Sequence, residues 1–156
     1  MQNTRLLQPA VIVAALGYFV DIYDLLLFGF VRIKSLTSLG FSGQQLTDLG
    51  LALNNFQMGG MLIGGILWGI LGDKKGRVSV LYLSIALYSL ANIANGFVQN
   101  FEWYAVCRLV AGVGLAGELG AGITLVAEIL PKEKRGYGTT LVACIGLAGA
   151  WLAGLI

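Results

Sequence analysis

The sequence predicts an all-α protein that is embedded in a membrane as a bundle of helices. Hydrophobic residues make up 57% of its 156 residues and charged residues only 12%, about half of the ~25% that is usual in a soluble domain. With a mean hydropathy of +0.81, a soluble globule of this size could not cover its own apolar surface. The apolar residues also form runs of about 20, the length with which a helix crosses about 30 Å of hydrocarbon.

Five such runs follow one another, and we predict each of them as a membrane-spanning helix. The first begins at Pro9, where the missing N–H of proline costs nothing because the first N–H groups of a helix have no partner in the helix. The fifth is still apolar at Ile156. The predicted spans are residues 9–31, 46–71, 78–98, 101–130 and 138–156.

The distribution of Lys and Arg between the spans predicts the orientation. The first link contains only two basic residues, Arg32 and Lys34, and the third link contains none. Because cytoplasmic segments carry the excess of positive charge, we expect a cytoplasmic N-terminus in a multi-pass protein of a bacterial-type inner membrane. The basic residues of the N-terminus and of the second and fourth links are Arg5, Lys74, Lys75, Arg77, Lys132, Lys134 and Arg135.

Glycine is frequent, with 23 of 156 residues, and it is concentrated in the spans. The stretch GGMLIGGILWG at residues 59–69 places glycines one helical turn apart. Small residues at this spacing let two helices pack closely in lipid. We therefore expect a tight bundle of helices that can slide or tilt against one another.

Four charged side chains lie well inside the predicted spans, away from their ends: Asp21 and Asp24 in the first, Arg108 and Glu118 in the fourth. Because a charge near the bilayer centre costs ~2.5–3.5 kcal/mol on insertion scales, we treat each of them as a candidate functional residue. At ~1.5 Å per helical residue, Asp21 and Glu118 are expected near the midplane at similar levels. Asp24 and Arg108 are expected farther out, with a gap of ~8 Å that an arginine side chain and helix tilt can bridge.

Three acids and one base form an unequal set, and this imbalance predicts proton binding. Arg108 stays charged and neutralises one carboxylate, whereas the other two lie in a low dielectric beside a like charge, where holding a proton near neutral pH is favoured. The alternative to a function in proton binding is a purely structural role. In that case Asp24 and Arg108 form an inert pair that fixes helix packing, and Asp21 or Glu118 is simply protonated. Five amides could bond a substrate or a neighbouring helix: Asn54, Asn55, Gln57, Asn92 and Asn95.

Several function classes are disfavoured by the same sequence. It contains no histidine, which excludes imidazole metal sites, and neither Cys107 nor Cys144 has a second ligand at metal-binding spacing. The net charge of +2 is too small to indicate a nucleic-acid partner. The G-x-G-x-x-G pattern of residues 112–117 lies inside an apolar helix instead of after a strand, so it does not indicate a nucleotide cofactor. We therefore expect neither an enzyme nor a cofactor or metal site.

Three stretches resemble signatures of one transporter family. GILGDKKGRV, residues 69–78, resembles the G-x-L-A-D-R-x-G-R-[RK] signature of the major facilitator superfamily, with Gly72 in place of Ala, Lys74 in place of Arg, and Val78 where a second cation is usual. RLVAGVGLAGE, residues 108–118, and EILPKEKRG, residues 128–136, are similar to patterns of its sugar- and metabolite-proton symporters. Three signatures in this order make the chain resemble that symporter branch.

The resemblance implies a protein of twelve spans, in which two six-helix halves face each other and hold the substrate at the midplane. We therefore expect residues 1–156 to be an incomplete N-terminal transmembrane domain, with five of the twelve helices of a major facilitator-type bundle. Its partners would be the lipid bilayer and the C-terminal half of the same transporter. The implied gate residues, which form a charge relay on the cytoplasmic side, are Asp73, Arg77, Glu128 and Arg135.

The implied function is proton-coupled symport of a small polar metabolite, a sugar or an organic acid, by alternating access. Asp24 and Glu118 are then the candidate proton sites, and Asp21 is a candidate for either proton or substrate. Arg108 would organise the acids or bind a substrate carboxylate. The alternative is a small membrane scaffold without transport, whose polar residues would face other helices without a cavity at the midplane.

Overall fold

Five long helices make up the part of the chain that the computed structural model describes, residues 9–132 and 135–155. Three of them have about 30 residues, as expected for helices that cross a bilayer at ~1.5 Å per residue. The helices are α1 (Pro9–Ser38), α2 (Gln44–Lys75), α3 (Arg77–Asn95), α4 (Phe101–Ile129) and α5 (Arg135–Ala153).

The first two helices extend into the links that we predicted as polar loops. The predicted link at residues 32–45 is mostly helical, and only residues 39–43 connect α1 to α2. The reason is that residues 32–38 contain neither Gly nor Pro, so a change in polarity alone does not end the helix. The chain turns at Gly40 and Gly43, whose φ angles of +93° and +61° lie in the left-handed region that glycine adopts readily.

The junction between α2 and α3 is even shorter, since a single residue separates the two helices. That residue is Gly76, with a φ of +87°, and its N–H donates to the carbonyl of Gly72 at 3.1 Å. The predicted link at residues 72–77 is therefore almost entirely helical, and it ends where glycine permits a left-handed backbone. The sharp turn leaves Arg77 at the start of α3, next to the last turn of α2.

The fourth helix forms the centre of the bundle. It packs extensively against α2 and α3, whereas α1 packs mainly against α5. Every buried apolar cluster contains residues of α4, which joins the other helices into one core. Its buried residues in these clusters are Tyr104, Ala105, Ala111, Leu115, Ala121, Leu125, Val126 and Leu130, the last of which directly follows the helix.

Glycines bring α2 and α4 into direct backbone contact. A Cβ atom on Gly60 would overlap the carbonyl of Leu109, and one on Gly112 would overlap the carbonyl of Gln57. The indole N–H of Trp68 on α2 also donates to the carbonyl of Val113 at 2.7 Å. These contacts fix the register of the two helices and set Gln57 level with the turn of α4 that ends at Gly112.

The outer surface of the bundle is apolar over most of its length. Four of the described helices are long and apolar enough to cross a membrane: Ile12–Ser38, Arg77–Asn95, Phe101–Glu128 and Arg135–Ala153. Helix α2 has 32 residues and is long enough, but its amides and charged ends make it more polar. Large side chains such as Leu62, Phe97 and Trp151 are exposed on the outside, where lipid would cover them. The predicted fold class, an all-α membrane bundle, is confirmed.

Candidate functional site

Asp24 and Arg108 lie together at the junction of α1, α3 and α4. Oδ2 of Asp24 is 3.9 Å from Nη1 of Arg108, and the hydroxyl of Tyr88 donates a hydrogen bond to the same oxygen at 2.5 Å. The guanidinium lies over the ring of Phe28, with Cζ 3.8 Å from the ring centre. The arginine is only 5% exposed, so its charge is balanced by one carboxylate and an aromatic face instead of by water.

Helical spacing explains why these groups converge. Asp24 and Phe28 are one turn apart on α1, and Tyr104 and Arg108 are one turn apart on α4, so each pair shares a face of its helix. The two faces meet through the rings of Phe28 and Tyr104, which contact edge to face at a centroid distance of 6.2 Å. This aromatic contact holds the carboxylate and the guanidinium at the same level.

The ion pair is close but not locked. A separation of 3.9 Å exceeds hydrogen-bond distance, and among the described residues neither Nε nor Nη1 of Arg108 has a hydrogen-bond partner. Asp24 keeps 25% of its side chain exposed. The arginine therefore holds unused donors next to its counter-charge, an arrangement that a small shift of α1 against α4 would alter.

Tyr88 is a site residue that sequence reasoning missed. A tyrosine in an apolar span has the same pattern as any core aromatic residue, so its hydroxyl gave no signal. The structure shows how the tyrosine reaches the site: a Cβ atom on Gly114 of α4 would lie 2.7 Å from the backbone nitrogen of Tyr88. This glycine lets α3 approach α4 closely enough for the tyrosine to reach Asp24 on α1.

Asp21 and Glu118 form a second acidic site, deeper in the bundle. Both carboxyls line one small cavity between α1, α3, α4 and α5, and the side chains are only 1% and 8% exposed. Within the described residues, neither oxygen of Asp21 has a hydrogen-bond partner. The cavity, of about 10 Å³, is close to the size of ~10–15 Å³ that holds one water molecule. It therefore brings two carboxyls together where little solvent is available to separate their charges.

A larger groove lies beside the two sites. It has a volume of about 460 Å³, runs between α1 and α3, and is lined by Glu118, Tyr88 and Asn92 among apolar residues. Glu118 thus lies on both the small cavity and the groove, and Tyr88 joins the groove to Asp24. Asp21 and Glu118 thus border these cavities directly, whereas Asp24 meets the groove only through its hydrogen bond with Tyr88.

The predicted gate residues lie around the C-terminal ends of α2 and α4, away from Asp24 and Arg108. Nη2 of Arg77 is 2.8 Å from Oδ1 of Asp73, and its Nε is 3.5 Å from Oε1 of Glu128. The arginine folds over Gly72, where an added Cβ would lie 2.7 Å from its Nη1. Arg135 is placed differently, since its Nε donates to the carbonyl of Leu130 at 3.2 Å. Three of the four predicted gate residues, Asp73, Arg77 and Glu128, are thus brought together through Arg77.

Comparison with known proteins identifies the family. The profile of the Major Facilitator Superfamily matches residues 11–156. A candidate metabolite transport protein of Haemophilus influenzae is 36% identical over 146 residues, which cover 92% of this chain and 35% of that protein. A candidate niacin/nicotinamide transporter, NiaP, of Bacillus subtilis is 31% identical over 141 residues, which cover 90% of this chain and 34% of that protein.

Similarity also extends to a mammalian protein. Synaptic vesicle glycoprotein 2A of Homo sapiens is 32% identical over 124 residues, which cover 80% of this chain and 16% of that protein. The chain spans about a third of the length of the two bacterial relatives. The family match over nearly the whole chain agrees with the helical bundle and with the resemblance of its three signatures. The chain belongs to the Major Facilitator Superfamily.

Proposed function

We propose that this chain is the N-terminal part of a secondary active transporter that couples the movement of a small polar metabolite to protons by alternating access. The observation that carries the proposal is the set of three acids and one arginine, of which only Asp24 is not fully buried, and in which Asp24 faces both Arg108 and Tyr88. Such intramembrane charges are costly and are characteristic of ion pathways. The proposal includes a cytoplasmic N-terminus, a bacterial-type inner membrane, and a C-terminal half that completes the substrate site.

In this mechanism, a proton acts by changing the contacts of Asp24. When the proton binds the carboxylate, the negative charge opposite Arg108 is lost and so is their mutual attraction. Tyr88 can then accept a hydrogen bond from the protonated carboxyl, because a phenolic oxygen both donates and accepts. The arginine remains charged throughout, so the proton changes how strongly α1 is held to α4.

Glu118 and Asp21 provide the second proton site of the proposal. Glu118 borders the groove and the enclosed cavity, so it lies where a proton can pass between the groove and Asp21. Two carboxyls that face one small cavity repel each other when both are charged, and a proton between them removes that repulsion. The groove also favours transport over a scaffold, for which no such cavity is expected.

The substrate would be a small organic acid or sugar. Arg108 is enclosed by Asp24, Phe28 and Tyr104, which favours organising the acids over direct contact with a substrate carboxylate. The name of one relative includes niacin and nicotinamide, and niacin is an organic acid. These two compounds therefore belong in any panel of substrates that is tested.

The gate would close the cytoplasmic end through contacts that are easily broken. Arg77 and its partners Asp73 and Glu128 are partly exposed, and exposed ion pairs are individually worth only ~0–1 kcal/mol. A conformational change can therefore exchange them at small cost. Arg135, which bonds the carbonyl of Leu130 in this conformation, would join the relay in another state.

The test is replacement of Asp24 by asparagine in the complete transporter. We expect Asp24→Asn to abolish uphill, proton-driven accumulation in proteoliposomes, because an amide cannot bind and release the proton. Exchange of labelled for unlabelled substrate should remain partly active, since exchange needs no net proton transfer. The panel comprises sugars, organic acids, niacin and nicotinamide, each assayed with and without an imposed pH gradient.

A matched variant is Asp48→Asn, which removes an exposed acid near the start of α2. This variant should accumulate substrate like the unmodified protein. Proton-driven accumulation that survives undiminished in Asp24→Asn would show that Asp24 is not the coupling site.

A further inference from the structure

Gln57 on α2 is a buried amide without a hydrogen-bond partner in the described part of the chain. Its side chain is 1% exposed, and neither Oε1 nor Nε2 bonds to any described residue. Most buried polar side chains have a partner, because leaving such a group unpaired costs the free energy of its desolvation. An amide kept in this position therefore suggests a partner that reaches it in another conformation.

The packing around Gln57 puts it level with Arg108. Leu53, one turn earlier on α2, belongs to the apolar cluster that contains Phe28 and Tyr104, the two rings that lie next to the guanidinium. One turn after Gln57, Met61 packs against the cluster that contains Ala111 and Leu115 of α4. Gln57 thus lies between the two clusters that flank Arg108.

The backbone contacts lead to the same conclusion. A Cβ atom on Gly112 would overlap the carbonyl of Gln57, and Gly112 follows Arg108 by one helical turn. No side chain separates α2 from α4 at this level, since Gly60 likewise meets the carbonyl of Leu109. The amide and the guanidinium therefore extend from adjacent turns of two helices in contact.

The unused groups of the two side chains are complementary. Arg108 has donors without partners at Nε and Nη1, and Gln57 has an acceptor without a partner at Oε1. A hydrogen bond from a charged guanidinium to an amide oxygen is stronger than one between neutral groups. Because the amide carries no charge, it can satisfy the arginine donors without competing with a charged Asp24.

We propose that Gln57 is a positioning residue that receives Arg108 when Asp24 is neutral. The inference rests on the proposed function, in which a proton neutralises Asp24 during transport. The proton binds a carboxylate oxygen of Asp24, the guanidinium keeps its charge, and one of its N–H groups turns to donate to Oε1 of Gln57. The amide thus stabilises the state in which the ion pair is released.

A double-mutant cycle on the purified complete transporter tests this inference without any substrate. Asp24→Asn mimics the neutral acid, and Gln57→Met removes the amide at similar volume. Alone, Gln57→Met should leave the melting temperature unchanged or higher, because it removes an unpaired amide. Together, the two substitutions should lower it by at least ~3 °C more than the sum of the single effects.

Asn55 provides the matched control, since it is an exposed amide on the same helix. Asn55→Met combined with Asp24→Asn should be additive. An additive result for Gln57→Met with Asp24→Asn would overturn the inference. A Gln57→Met protein that does not fold even with Asp24 intact would also overturn it, because Gln57 would then be needed while Asp24 is charged.

The pH profile of stability separates positioning from simple packing. The difference in melting temperature between Gln57→Met and the unmodified protein should depend on pH when Asp24 is present, and it should be independent of pH in the Asp24→Asn background. The other titratable groups near the pair are Tyr88 on α3, Tyr104, Cys107 and Glu118 on α4 and Asp21 on α1. They are common to both proteins and cancel in the difference.

The proposed function has a separate readout. If the unmodified transporter exchanges substrate but never accumulates it with a pH gradient, the proposed function fails and this inference fails with it. If accumulation is normal and the cycle is additive, only the role of Gln57 is overturned.

Discussion

Replacing Arg108 by methionine is expected to destabilise the complete transporter by about 3 kcal/mol. Removing one partner of a buried ion pair typically costs ~3–5 kcal/mol, because the other charge is left without compensation. The lower end applies here because Asp24 keeps 25% of its side chain exposed, so that solvent partly compensates its charge. Methionine preserves the packing against Phe28, so the loss reports the charge. Thermal unfolding of the purified protein measures it.

The double substitution gives the sharper result. Arg108→Met combined with Asp24→Asn should recover most of the lost stability, since replacing both members of a buried pair by uncharged groups is often nearly neutral. Proton-driven accumulation should stay absent in both variants. Arg32→Met is the matched control, because Arg32 is a half-buried arginine that donates to the carbonyl of Gly50 at 3.3 Å. Arg32→Met should lower the free energy of unfolding by only ~1 kcal/mol, because it removes a single hydrogen bond. Equal effects of Arg32→Met and Arg108→Met would contradict the assigned role of the ion pair.

The second large effect is expected at Gly60. In Gly60→Ala, the added Cβ would overlap the backbone carbonyl of Leu109, which cannot move without parting α2 from α4. Overpacking of a tight core usually costs ~1–3 kcal/mol and sometimes more, and we expect the upper end of this range or beyond. The measurements are the yield of monodisperse protein and its melting temperature.

Gly59 provides a stringent control, because it is the adjacent glycine on the same helix and has nothing within 4 Å of an added Cβ. Gly59→Ala should be neutral or stabilising by up to ~1 kcal/mol, since alanine has the higher helix propensity. The same contrast is expected between Gly64→Ala, which would meet the backbone of Val113, and Gly65→Ala, which has open space. If Gly60→Ala and Gly59→Ala behave alike, close packing of α2 on α4 does not hold the bundle together.

Hydropathy and charge spacing predicted the fold class and the positions of the buried charges. From depth alone, Asp24 and Arg108 are expected ~8 Å apart. In the structure their charged atoms are 3.9 Å apart, because the arginine side chain spans the remaining distance. The family signatures likewise predicted the family to which the chain belongs. These features follow from helical geometry and local residue patterns, which a sequence displays directly.

Contacts that depend on how helices meet could not be predicted. Tyr88 reaches Asp24 only because Gly114 brings α3 against α4, and the unpaired state of Gln57 depends on the register between α2 and α4. The partner of Glu128 depends on the sharp turn at Gly76, which sets Arg77 beside it. Polarity also failed to predict the end of α1, because helices end at backbone signals and not at a membrane surface.

The packing of α1 mainly against α5 has a mechanical consequence. Gly146 and Gly149 of α5 lie directly against Tyr18 and Phe19 of α1, so these two helices pack closely as a pair, and α4 joins this pair to α2 and α3. Asp24 lies on α1 and faces Tyr88 of α3 and Arg108 of α4. In the proposed mechanism, a proton that neutralises Asp24 would therefore weaken the hold of α4 on the whole α1–α5 pair and not on one side chain alone.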